Sequence, residues 1–113
     1  MVGFAVVGLG MGRNRSRQVV ETTGAELKVV VDINEALAKE VGEEIGCDWT
    51  SSLDDALGRN DVDVVLVMTP SGLHAEVGIQ VAKAGKHVIT TKPMDVTTAA
   101  CDALISAGEE AGV

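Results

Sequence analysis

Short apolar runs alternate along the chain with stretches in which apolar residues recur at helical spacing. The apolar runs predict five strands, at about residues 3–7, 26–31, 47–49, 62–68 and 87–90. The stretches between and after them predict five helices, the first over about 11–22. Strands alternating with helices are typical of βαβ units. The pattern therefore predicts an α/β fold, a doubly wound parallel sheet with strand order 3-2-1-4-5.

Polar residues and glycines predict where the helices begin and end. The predicted N-caps of helices two to five are Asn34, Ser52, Ser71 and Asp95. The predicted stops of helices one, two and four are Gly24, Gly46 and Gly85. The last helix carries a small apolar stripe of Val96, Ala100, Ala103, Leu104 and Ala107. The run 62–68 is the most apolar and predicts a central strand covered on both faces.

Two glycines follow the first predicted strand. Gly8 and Gly10 lie between the apolar run that ends at Val7 and the first predicted helix. In this context the first glycine allows a tight turn, and the second leaves room for a pyrophosphate near the backbone. The helix N-terminus favours the negative charge of the phosphate. An ordinary glycine turn shows the same pattern, so the motif alone leaves both interpretations open.

Asp32 follows the second predicted strand, about 20 residues after the glycines. A carboxylate at this place in a dinucleotide-binding fold accepts hydrogen bonds from the adenosine ribose. The alternative role for Asp32 is a cap of the next helix. Together with the glycines, Asp32 favours a Rossmann-type dinucleotide-binding domain over residues 1–113. It also favours NAD over NADP, because Ile33 and Asn34 offer no cation to a 2′-phosphate.

Charge and composition limit the partners. The formal net charge of −8 disfavours nucleic acids and anionic membrane surfaces, because both attract basic proteins. No stretch reaches the ~18 apolar residues that a membrane span needs, and no basic leader precedes the first strand. We therefore expect a cytoplasmic protein. Cys47 and Cys101 match no metal or redox spacing, so we expect reduced, buried thiols and no metal site.

Polar residues with catalytic potential follow the fourth and fifth strands. Thr69-Pro70-Ser71 and His74 follow strand four, and Thr91-Lys92-Pro93 follows strand five. The carboxyl ends of parallel strands form the edge at which α/β sheets bind ligands. A lysine at such an edge can polarise a hydroxyl or move a proton. Position alone also allows both His74 and Lys92 to be ordinary surface residues.

These motifs as a set resemble one enzyme family. The set comprises Gly8-x-Gly10, Asp32, Thr69-Pro70-Ser71-x-x-His74, Ala84-Gly85-Lys86-His87-Val88 and Thr91-Lys92-Pro93. It resembles the N-terminal half of the glucose–fructose oxidoreductase and inositol dehydrogenase family, Gfo/Idh/MocA, from Val6 to the last helix. The resemblance implies an NAD(P)-dependent oxidoreductase. Such an enzyme would move hydride between the nicotinamide and a hydroxyl-bearing carbon of a sugar, cyclitol or related molecule.

The resemblance also implies roles for individual residues. Lys92 would be catalytic and would contact both the substrate and the nicotinamide ribose. The implied cofactor-binding residues are Gly8, Gly10, Met11, Gly12, Arg13, Asp32, Ile33, Thr69, Pro70, His74, Lys92 and Pro93.

Two positions depart from the family pattern. Arg13 stands where the fingerprint has its third glycine or alanine, and a bulky residue there would change how the helix packs on the strand. Arg13 would also bring positive charge near a pyrophosphate. Thr91 replaces the glutamate of the family's Glu-Lys-Pro motif. The absence of this glutamate would change the orientation and charge of Lys92.

Family members continue into a second α/β domain that holds most of the substrate pocket and the usual oligomer interface. A doubly wound sheet also commonly has a sixth strand, which would follow Val113. We therefore expect a fragment of a longer, homo-oligomeric protein that binds cofactor without being a competent enzyme alone. Two alternatives remain open: a dinucleotide-sensing regulatory module without turnover, and a coenzyme A-binding Rossmann domain. Asp32 disfavours the second, because the ribose of coenzyme A carries a phosphate.

Overall fold

Five parallel strands form one sheet in the order β3-β2-β1-β4-β5 in the computed structural model, which describes residues 1–113. The strands are β1 Val2–Val7, β2 Ala25–Val31, β3 Asp48–Thr50, β4 Val64–Val67 and β5 His87–Thr90. The helices are α1 Leu9–Glu21, α2 Glu35–Ile45, α3 Leu53–Leu57, α4 His74–Lys83 and α5 Thr98–Ala111. A 3₁₀ turn, Ser71–Leu73, precedes α4. The predicted fold class and strand order are confirmed.

Side chains on successive strand residues pack into two apolar clusters, one on each face of the sheet. On β1, Ala5 and Val7 join the cluster that includes Ala56 of α3 and Val81 of α4. Val6 between them joins the cluster on the opposite face, which contains residues of α1 and α2. This alternation is the two-residue period of a strand. The buried core is therefore aliphatic and lies in two layers, one on each face of the sheet.

β4 lies inside the sheet but is only partly covered. Val65 and Val67 are buried, whereas Val64 and Leu66 are half-buried, so the prediction of cover on both faces is wrong for one face. The sheet extends from β1 on one side through β2 and β3, and on the other side through β4 and β5. Because the crossovers on both sides are right-handed, the helices that accompany the two halves lie on opposite faces of the sheet. The α1 face of β4 and β5 consequently lacks a helix.

Two predicted helix caps are confirmed and two are wrong. Asn34 Oδ1 accepts a hydrogen bond from Leu37 N at 3.2 Å, and Ser52 Oγ accepts one from the third residue of α3. The predicted caps of the last two helices are both replaced. Asp95 Oδ2 accepts from Ala75 N and so caps α4, and Thr97 caps α5. The chain after β5 folds across the start of α4, which local sequence spacing does not reveal.

The inward face of α5 and the two cysteines also differ from expectation. Leu104 is buried and Cys101 is half-buried, whereas Ala103 and Val96 are exposed.

Neither cysteine forms a disulfide, and both are half-buried rather than buried. Desolvation raises the pKa of the Cys47 thiol to about 11, so this thiol stays protonated at neutral pH.

None of the helices has both the length and the apolar character needed to cross a bilayer.

β5 is an edge strand, and we expect it to promote self-association. Ile89 on this strand is 45% exposed, and an exposed apolar edge recruits other chains. Salt screens the repulsion that arises from the net charge. Light scattering is therefore expected to show association that increases with concentration and with salt. Ile89→Lys should weaken it, whereas Val20→Lys, on an exposed site of α1, should not. A monomer at high concentration and high salt would contradict this expectation.

Candidate functional site

A glycine turn joins β1 to α1. Gly8 has φ +91° and ψ 98°, and α1 begins at the next residue, two residues earlier than predicted. A Cβ atom at Gly8 would lie 2.8 Å from backbone atoms of Met68 and Thr69. The Gly8 amide donates to the Val31 carbonyl at 2.9 Å. The turn is therefore held against the carboxyl ends of β2 and β4, and only glycine fits this position.

The first turn of α1 leaves space and free amides. A Cβ atom at Gly10 would have no heavy atom within 4 Å. The Leu9 amide donates to Asp32, and the Gly12 amide donates to the Gly8 carbonyl. The amides of Gly10 and Met11 remain available, as the first amides of a helix usually are. This is a site at which an anion binds favourably.

Asp32 is fixed beside the glycine turn. Its Oδ2 accepts from Leu9 N at 2.8 Å and its Oδ1 accepts from Asn34 N at 2.9 Å. Each carboxylate oxygen keeps a further lone pair for a ligand hydroxyl. Asp32 does not cap α2, because Asn34 has that role. The capping alternative is therefore excluded.

A cavity of about 520 Å³ lies between the ends of β1, β2 and β4. Seven of the predicted cofactor-binding residues line it: Gly8, Gly10, Met11, Asp32, Ile33, Thr69 and Pro70. Thr69 Oγ1 is buried and has no hydrogen-bond partner. A buried hydroxyl without a partner is costly unless a ligand or water supplies one. One residue of the cavity lining, Thr69, thus carries a buried hydroxyl without a partner.

Gly12 and Arg13 have other roles than the fingerprint spacing suggested. A Cβ atom at Gly12 would lie 2.8 Å from Val6 Cγ1, so Gly12 provides the close helix–strand packing expected of the third glycine. Arg13 points to α2, where it pairs with Glu44 at 2.7 Å and with Glu40 at 3.6 Å. The prediction that Arg13 faces a pyrophosphate is therefore corrected.

His74 and Pro93 were both predicted to bind the cofactor, but neither lines the cavity. His74 is 2% exposed. Its Nδ1 lies 2.8 Å from the Pro93 carbonyl oxygen, and its Nε2 lies 2.7 Å from the Thr69 carbonyl oxygen. The histidine therefore connects the turns that follow β4 and β5.

Lys92 is exposed on the turn after β5 and does not line the cavity. The Lys92–Pro93 peptide bond is cis. Thr91, which replaces the expected glutamate, lines a groove on the α1 face of the sheet. Lys92 forms no ion pair with a carboxylate. The structure thus leaves this lysine outside the cavity lining and without a charged partner.

Sequence reasoning missed part of the cavity lining. Ser51 follows β3, and Leu53, Leu73 and Val77 form an apolar wall from α3, the 3₁₀ turn and α4. The position of Ser51 at a strand's carboxyl end was a usable signal. The three apolar residues carried none, because they look like ordinary core positions.

The site fits a dinucleotide. The cavity lies beside β1, where the strand order reverses between β2 and β4, and open α/β sheets bind ligands at such points. Free amides at Gly10 and Met11 fit a pyrophosphate, and the fixed Asp32 carboxylate fits a ribose diol. The unsatisfied Thr69 hydroxyl offers a further polar contact. These features define an NAD(P)-binding Rossmann domain.

Comparison with known proteins identifies the family. A model of the Gfo/Idh/MocA oxidoreductase family, NAD-binding Rossmann fold, matches residues 2–113, and the chain belongs to this family. A similar curated protein is 2,7-anhydro-N-acetylneuraminate hydratase from Mediterraneibacter gnavus, 35% identical over 99% of this chain. The chain spans 30% of that relative's length.

Comparison with solved structures also finds proteins that bind a nicotinamide dinucleotide. GenD2 from gentamicin A biosynthesis, in complex with NAD, is 34% identical with a TM-score of 0.94, over 99% of this chain and 32% of that one. The WlbA dehydrogenase from Bordetella pertussis, in complex with NADH and UDP-GlcNAcA, is 33% identical with a TM-score of 0.91, over 99% and 33%. Among the similar structures, one is a complex with NAD, another with NADH and another with NADP.

Proposed function

We propose that the chain is the NAD-binding part of an oxidoreductase acting on a sugar, cyclitol or related hydroxyl compound. The observation that carries this proposal is the Asp32 carboxylate, which the Leu9 amide holds at the glycine turn. The WlbA and hydratase relatives, whose names refer to sugar derivatives, support the substrate class. The substrate itself would be held by a second α/β domain of a longer, homo-oligomeric protein, since residues 1–113 span 30% of the relative.

Each part of the cavity has a role in this proposal. The Gly10 and Met11 amides bind the pyrophosphate, and Asp32 binds the adenosine ribose. Thr69 and Pro70 bind the nicotinamide half, where the Thr69 hydroxyl gains a partner. When bound, NAD would supply the nicotinamide ring that exchanges hydride with the substrate. Lys92 contacts the nicotinamide ribose and orients the substrate hydroxyl, with which it exchanges a proton.

One observation favours a second candidate, a dinucleotide-sensing module without turnover. The residue before Lys92 is Thr91, and no carboxylate pairs with the lysine. A lysine without such a partner is less firmly oriented for proton transfer. Polyol-dependent reduction of NAD by the longer protein would distinguish the enzyme from the sensor. Greater thermal stabilisation by NAD than by coenzyme A would exclude the coenzyme A alternative.

NAD is expected to bind more tightly than NADP, by about one to two orders of magnitude. Two like charges about 4 Å apart repel by roughly 4 kcal/mol at an effective dielectric of about 20, and solvent reduces this further. Arg13 does not offset the repulsion, because it pairs with Glu44. Titration calorimetry of the chain with each cofactor measures the ratio.

Asp32→Ala should narrow the difference between the NAD and NADP affinities. The substitution removes the repulsion between the Asp32 carboxylate and the 2′-phosphate of NADP, and also a contact to the ribose of NAD. Asp102→Ala is the matched control, since it removes the same charge at an exposed site on α5. Its cofactor ratio should equal that of the unmodified chain. Equal or tighter binding of NADP by the unmodified chain would contradict the proposed preference.

A further inference from the structure

His74 has both ring nitrogens engaged with the backbone of two different turns. Nε2 contacts the carbonyl oxygen of Thr69, a residue that lines the cavity, and Nδ1 contacts the carbonyl oxygen of Pro93, which follows Lys92. A carbonyl oxygen only accepts, so the neutral ring, which has one N–H, donates to one of the two carbonyls, and only the protonated ring donates to both. Neither nitrogen remains free for a ligand. The ring therefore spans the space between the cavity wall and the lysine turn.

Asp95 makes a second connection between the same segments. Its Oδ2 accepts from Ala75 N at 2.9 Å, and its Oδ1 accepts from Val96 N at 2.6 Å. These backbone hydrogen bonds lower the pKa of Asp95 below its ordinary value, so the cap is charged at neutral pH. Thus the first two residues of α4, His74 and Ala75, hold the turn at Pro93 and again at Asp95.

Lys92 depends on this support for its position. It is exposed and has no ion pair, so its own side chain does not anchor the turn. The backbone next to it is held through the Pro93 carbonyl. The other end of the same histidine is held by Thr69, which lines the cavity. The position of the Lys92 turn relative to Thr69 therefore depends on the contacts of the His74 ring as well as on the Asp95 cap.

We propose that His74 is a positioning residue that sets Lys92 against the nicotinamide side of the cavity and does not itself contact the cofactor. This inference rests on the proposed function, because it assigns His74 a task in placing Lys92. It differs from the role that the family resemblance implied, in which His74 lines the cofactor. Loss of the ring should therefore change the environment of Lys92 in the complex much more than it changes cofactor affinity.

The test uses the chain labelled with ¹³C-lysine, with the Lys92 signal assigned by Lys92→Met. NAD is added to the unmodified chain, to His74→Ala and to His87→Ala, and NMR records the shift of each lysine signal. His87 is the matched control, because it is an exposed histidine on β5. The dissociation constant for NAD is measured in parallel by calorimetry, and circular dichroism checks the fold. His74→Asn, which keeps one donor, is the second variant if His74→Ala does not fold.

The expected result is a Lys92 shift on NAD addition in the unmodified chain and in His87→Ala. In His74→Ala the shift should be at least halved, whereas the dissociation constant changes by about threefold or less. His74→Asn should lie between the two. An undiminished Lys92 shift in folded His74→Ala, or in His74→Asn, would overturn the positioning role. Loss of NAD binding in a folded variant would overturn it as well, because His74 would then serve the cofactor directly. If the unmodified chain did not bind NAD, the proposed function would fail, and this inference with it.

Discussion

Gly10→Val is expected to lower affinity for the dinucleotide by roughly 100-fold or more, because the amides beside it then lose their access to the pyrophosphate. A Cβ atom at Gly10 would meet no heavy atom within 4 Å outside its own stretch of helix. The space around it belongs to the cavity that Gly10 lines. The valine would therefore displace ligand atoms and not protein atoms.

The fold of this variant should be unaffected. Gly10 lies in α1 and does not have positive φ, and valine in a helix is about as favourable as glycine or slightly better. Titration calorimetry with NAD and a thermal melt without ligand measure the two effects separately. Gly72→Val is the matched control, since Gly72 also has open space around it but does not line the cavity. Retained affinity in folded Gly10→Val would show that the pyrophosphate site is elsewhere.

The strand order was predictable from the sequence because it follows from local patterns. Apolar runs separated by helical periodicity require parallel strands, and right-handed crossovers leave few possible orders. Asp32 could also be predicted, because its distance from the glycines reflects one complete βαβ unit. Both predictions depend on residues that are close in sequence or on connections of standard length.

Other features depend on contacts that no spacing rule contains. The spacing of the glycine fingerprint assigns its third position to Arg13. In the structure Gly12 has the packing role of that position, because Gly12 is the residue that faces Val6. Asp95 was expected to cap the helix that follows it. In the structure it caps α4, whose Ala75 is 20 residues earlier in the chain.

His74 illustrates the same limit for the candidate site. The sequence placed it at the correct sheet edge, near Thr69 and Lys92. It did not show that both ring nitrogens contact backbone carbonyl groups. The path of the turn after β5 decides this, and that path has no local sequence pattern. Position relative to the strands was thus predictable, but the direction of the side chain was not.

Gly8→Ala should destabilise the chain by about 3 kcal/mol or more, because it combines an unfavourable backbone conformation with overpacking. The methyl group would lie 2.8 Å from the Met68 carbonyl and the Thr69 nitrogen, which are backbone atoms that no rotamer change can move. The turn also cannot shift freely, because the Gly8 amide bonds to the Val31 carbonyl.

Urea or thermal unfolding without any ligand measures this effect, and the melting temperature should fall by about 10 °C or more. Gly10→Ala, two residues away, is the matched control. Gly10 is helical and has no atom near its missing Cβ, so alanine there should leave stability unchanged or raise it by up to about 1 kcal/mol. Alanine should thus lower the stability of the chain at Gly8 but not at Gly10. This contrast separates the glycine that the turn requires from the glycine that the ligand requires. Equal stabilities for Gly8→Ala and Gly10→Ala would mean that the β1–α1 turn does not pack against the end of β4 as described.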